Sequence, residues 1–84
     1  MTLLIDQELT LFQKRSVNLY GHKTSVSLER AFWDTLEEAA RFQTISLAQL
    51  IKEVDETRHG NLASALRIFA LEYVKRIHPT PAVF

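Results

Sequence analysis

The sequence predicts a mostly α-helical chain headed by one short β-strand. Three observations predict it. Residues Lys23 to Leu28 alternate polar and less polar side chains with a period of two, the pattern of a half-buried strand. At Glu29 the pattern breaks, and apolar residues recur from there at helical spacing. Two later apolar stripes each follow a good helix-capping residue, Ser46 and Asn61. A lone strand cannot satisfy its own backbone donors and acceptors. Its simplest partner is the same strand of a second copy, so the expectation is a homodimer joined by an intermolecular two-stranded ribbon.

Size and composition point the same way. The chain has 84 residues, enough for one domain. A chain of this size buries only about 60–65% of its unfolded surface, so its stability is marginal without help. It contains no cysteine, which rules out disulfides and is compatible with a reducing cytoplasm, the expected location. Oligomerisation is the remaining common route to stability. The start, Met1 to Asp6, lacks a basic region and does not read as a secretion signal. No stretch approaches the ~20 apolar residues that span a bilayer.

Residues 1–13 read as an arm, with Leu3, Leu4, Ile5, Leu9, Leu11 and Phe12 available for packing. Ser16 to Tyr20 alternates again, but Val17 and Leu19 have odd parity whereas Val26 and Leu28 have even parity. Gly21 lies between the two sets, as a bulge in one bent strand or the turn of a tight hairpin. The first helix places Phe32, Trp33, Leu36, Ala39 and Ala40 on one stripe and ends near Phe42 or Gln43. Ser46-Leu47-Ala48-Gln49 reads as a capping box, with Ile45 and Leu50 spaced as a hydrophobic staple. Leu47, Leu50, Ile51 and Val54 form the buried stripe of the second helix, and His59-Gly60 closes that element. Asn61 opens a third helix carrying Leu62, Leu66, Phe69, Ala70, Tyr73 and Val74. Lys75 and Arg76 fall in its last turn, where cations suit the helix dipole. Pro79 and Pro81 stop it. The resulting organisation is an arm over 1–13, a core over 14–58, a third helix over 59–78 and a tail over 79–84.

Strand, helix, short turn and helix within about fifty residues resemble the ribbon-helix-helix family, which includes the bacterial Met and Arc repressors. The likeness runs from Lys14 to about Arg76 and is nearest to a bacterial subfamily of predicted DNA-binding domains. It is carried by Arg15-Ser16-Val17-Asn18-Leu19-Tyr20-Gly21-His22-Lys23-Thr24-Ser25-Val26, by Leu28-Glu29 with Phe32-Trp33, and by Gly60-Asn61-Leu62-Ala63-Ser64-Ala65-Leu66-Arg67. The resemblance implies a homodimer whose intermolecular two-stranded antiparallel ribbon enters the major groove of double-stranded DNA. It also implies a shared core, to which Val26, Leu28, Phe32, Trp33, Leu36, Leu50 and Ile51 are assigned; no cofactor is expected.

The candidate DNA contacts follow from that implied arrangement. Lys23, Ser25 and Ser27 take the groove-facing strand positions, although solvated strand positions would suit both serines as well. Two serines cannot make the bidentate contacts that supply most base discrimination. Ser46 with the amides of Leu47 and Ala48 forms a helix N-terminus, which suits a phosphate; a plain N-cap explains Ser46 equally. Lys14, Arg15, His22 and Arg30 are candidate phosphate contacts.

Charge patterning gives mixed support. Net charge is zero, with ten basic and ten acidic residues. Residues 14–30 nevertheless hold Lys14, Arg15, Lys23 and Arg30 against Glu29 alone, a balance of +3. Residues 31–57 hold six acids against Arg41 and Lys52, a balance of −4. His22, His59 and His78 lack metal-ligand spacing, and no nucleophile or phosphate-loop motif suggests an enzyme. The competing expectation is a dimeric module that binds a protein partner through its third helix and tail.

Overall fold

In a computed structural model, residues 7–78 are described. A short 3-10 turn, Gln7–Thr10, leads into strand β1 (Phe12–Leu19) and strand β2 (His22–Glu29). Helices α1 (Arg30–Gln43), α2 (Leu47–Thr57) and α3 (Leu62–Ile77) follow. The expected helices are all present, but the strand finds its partner differently. β2 pairs antiparallel with β1 of the same chain, from Phe12 opposite Glu29 to Leu19 opposite His22. The ribbon is therefore intramolecular, and the intermolecular strand pairing expected above is corrected. The arm assigned to residues 1–13 also gives its last two residues, Phe12 and Gln13, to β1.

The turn explains the change of parity. Tyr20 and Gly21 are the two residues between the strands, and both have positive φ, 53° and 81°. Positive φ at both central positions is the hairpin geometry whose twist matches that of paired strands. A two-residue loop brings odd positions of β1 and even positions of β2 to one face. Val17, Leu19, Val26 and Leu28 thus point together into the core. Tyr20 is an awkward residue for this conformation, since a Cβ crowds the following carbonyl at positive φ. Its ring is tied down instead. The hydroxyl donates to Glu56 of α2 at 3.0 Å, and the Lys52 ammonium lies 5.3 Å from the ring centre. Partial desolvation, then the Glu56 carboxylate, push the phenol above its usual pKa.

β2 passes into α1 without a loop. Glu29 serves as N-cap with extended backbone, but its side chain makes no capping bond and pairs with Arg67 of α3 at 2.9 Å. α1 ends at Thr44, which is left-handed at φ 59°. Its amide and that of Ile45 close back onto Arg41 and Ala40. Ser46 accepts from the amide of Gln49 at 3.0 Å, so the cap forms. The reciprocal half of the capping box does not, because the Gln49 amide group turns toward Glu53. Asn61 caps α3 by accepting from the amide of Ser64 at 2.7 Å. Pro79, Pro81 and the expected tail lie outside the described residues.

The core belongs to one chain. β1 packs on α2, β2 packs on α1 and α3, and α1 touches both other helices. Val26, Leu28, Trp33, Leu36, Leu50 and Ile51, expected in a core shared by two chains, are all buried within this one. Closing the ribbon internally supplies the apolar cover that a second copy was expected to provide. Phe32 is only half-buried, and Val74 of α3 remains exposed. Trp33 also stitches hairpin to helix, since its indole N–H donates to the Gln13 carbonyl at 2.8 Å. No buried side-chain polar atom among the described residues lacks a partner.

Candidate functional site

The hairpin has two unlike faces. One packs on the helices. The other presents Lys14, Ser16 and Asn18 of β1 beside Ser27, Ser25 and Lys23 of β2, cross-strand partners in that order, and all six are exposed. Period two explains why these residues share a face. None of their side chains hydrogen-bonds to another described residue. The two lysines lie diagonally, Lys14 toward the base and Lys23 toward the tip. Glu29 shares this parity but is half-buried and held by Arg67. Its own backbone amide, then Arg67, hold its carboxyl below the usual value.

Lys23, Ser25 and Ser27 therefore sit together on an open surface. Sequence reasoning missed that Ser16 and Asn18 join them and that Lys14 lies on the same face. The missing signal was the register of β1. Once a two-residue turn at Tyr20-Gly21 is assumed, the parity of Val17 and Leu19 assigns these positions.

Arg15 lies on the other face. Its guanidinium donates to Glu37 at 2.6 Å and sits 4.7 Å from the Trp33 ring centre. It fastens the hairpin to α1 and is committed within the fold. Arg30 pairs with Glu8 at 2.9 Å and lies 3.9 Å from Asp34, at the base of the hairpin. Both differ from the unencumbered Lys14 and Lys23, and His22 is exposed at the tip.

Leu47 and Ala48, the residues after Ser46, come close to the hairpin. A shallow cleft of about 130 Å³ runs between β1 and the start of α2, lined by Ser16, Asn18, Leu47 and Ala48 among others. The Ser46 hydroxyl is occupied by Gln49, and the amides of Leu47 and Ala48 fall in the first turn, where a helix has no internal acceptors. The positive end of the α2 dipole thus flanks the outward strand face.

A second exposed feature is apolar. α3 buries Leu62, Leu66, Ala70 and Tyr73 but leaves Ile68, Leu71 and Val74 exposed, and Phe42 of α1 is 69% exposed beside Tyr73. Helices that are apolar on most sides are usually covered. Among the described residues, no helix is long and apolar enough to cross a membrane.

A two-stranded antiparallel ribbon leading directly into a helix, a short turn and a second helix defines a ribbon-helix-helix domain. The chain belongs to the ribbon-helix-helix domain family, which it matches over residues 12–74, from the first residue of β1 onward. The family's domains are typically DNA-binding transcription regulators. Among solved structures, the chain is similar to an uncharacterized protein from Bordetella pertussis Tohama I. The two share 33% identity over 94% of this chain and 70% of that one, with a TM-score of 0.76. No curated protein matches the sequence.

Proposed function

We propose that this chain is a DNA-binding regulator that lays the outward face of its hairpin in the major groove. The observation that carries the reading is that face, with two lysines, four neutral hydrogen-bonding side chains and no side-chain hydrogen bond from any of them to another described residue. A two-stranded ribbon fits a groove about 12 Å wide. Lys14 and Lys23 supply charge, Ser16, Asn18, Ser25 and Ser27 meet base edges, and the α2 N-terminus at Leu47 and Ala48 holds a neighbouring phosphate. Arg15 and Arg30 are left out of the contact set, because both are spent on carboxylates of the chain.

The reading includes a homodimer, held through the exposed apolar residues Phe42, Ile68 and Leu71 rather than through strand pairing. Domains of this family generally dimerise. The same exposed residues favour the second reading, a module that binds a different protein. Fluorescence anisotropy with mixed-sequence duplexes tests the first reading. Binding should weaken with salt, by a log–log slope of about 0.9 per phosphate contact. Absence of binding at low salt would leave the protein module as the better account. Light scattering at micromolar concentration tests the dimer, and a monomer would refute it.

A further inference from the structure

We infer that the DNA-reading unit is the hairpin of a single chain, and that Asn18 is its specificity-determining residue, directed at adenine. The inference rests on the DNA-binding reading above and deepens it. A ribbon made from β2 of two chains would show Lys23, Ser25 and Ser27 twice, related by a twofold axis. The ribbon here is closed within one chain, so its two strands differ: Lys14, Ser16 and Asn18 on one, Lys23, Ser25 and Ser27 on the other. Such a face has no internal symmetry, and the base pairs beneath it need none.

Asn18 stands apart within this face. Serine offers one hydroxyl and lysine one point charge, but a carboxamide presents a donor and an acceptor side by side. That pattern matches adenine N7 and N6 in the major groove. Asn18 is exposed, sits directly across from Lys23 and makes no side-chain hydrogen bond within the described residues. Lys23 can donate to guanine O6 or N7. The pair Asn18–Lys23 thus places an adenine reader beside a guanine reader near the tip of the hairpin, while Ser16 and Ser25 below tolerate several bases.

The test selects bound sequences from a pool of random duplexes at low salt, using the wild-type chain and Asn18→Ala. For the wild type, each hairpin should select a short non-palindromic element containing one preferred A·T pair. Asn18→Ala should lose that preference by roughly 5- to 100-fold. The preferences at the other positions and the circular-dichroism melting curve should stay unchanged. If the wild type binds but Asn18→Ala keeps the same preference at every position, the inference fails while the DNA-binding reading stands. A ribbon element symmetric about its own centre would overturn the single-chain reading unit. If the wild type binds no DNA at low salt, both readings fall together.

Discussion

The two faces of the hairpin share one backbone and one set of strand hydrogen bonds, yet they serve opposite ends. The helix-facing side is fully committed: Val17, Leu19, Val26 and Leu28 are buried, and Arg15 stacks on Trp33 while pairing with Glu37. On the outward side only Glu29 at the base is held, by Arg67, and the six exposed polar side chains beyond it find no partner among the described residues. Lys14 and Arg15 make the contrast at adjacent positions. Both are basic, but the pleat sends one to solvent and the other to a carboxylate. Local charge alone therefore says little about which cations a partner can use, and parity decides it.

The sharpest way to break this comparison is to cut the committed face. Trp33→Ala removes a fully buried indole and its bond to Gln13, and should cost about 3–5 kcal/mol in chemical denaturation. A loss below ~1 kcal/mol would mean that the hairpin is not held by α1. On the open face, Lys14→Ala with Lys23→Ala should leave the denaturation midpoint in place. The same pair should lower DNA affinity for every sequence, most for those that place guanine at Lys23, and flatten the salt slope. A large loss of stability instead would show that this face is structural.

Smaller effects sharpen the picture. Thr44→Gly relieves a β-branched residue at positive φ and should stabilise the chain by roughly 1 kcal/mol without altering DNA binding. Ser46→Ala should cost about 1 kcal/mol through the lost cap. Glu29 has a carboxyl pKa lowered by folding, so its contribution is present above the unfolded carboxylate value and is lost as pH falls through the folded one. Glu29→Gln should thus reduce the acid sensitivity of stability below about pH 4.3, measured by denaturation against pH.

Much of the fold was legible because its signals are local. Periodicity placed three helices, and Ser46 and Asn61 marked two of their starts. The partner of β2 was not legible, for two physical reasons. Tyr20 occupies a turn position usually held by asparagine, aspartate or glycine, so the hairpin signal is weak. What holds Tyr20 there is Glu56, thirty-six residues away and visible only in three dimensions. The site was half legible for the same reason. Lys23, Ser25 and Ser27 follow from alternation in one segment, whereas Lys14, Ser16 and Asn18 join them only once the register is known. The inward turn of Arg15 follows from its shared parity with Val17, but its commitment depends on Glu37 of α1.

Because β1 and β2 close on each other within one chain, the ribbon does not wait for a collision between copies. A strand exchanged between two molecules ties folding to protein concentration, and dilution then unfolds as well as dissociates. A hairpin closed within one chain carries no such tie in its strand pairing. The outward hairpin face is assembled from β1 and β2 of one chain, with no strand contributed by a second copy.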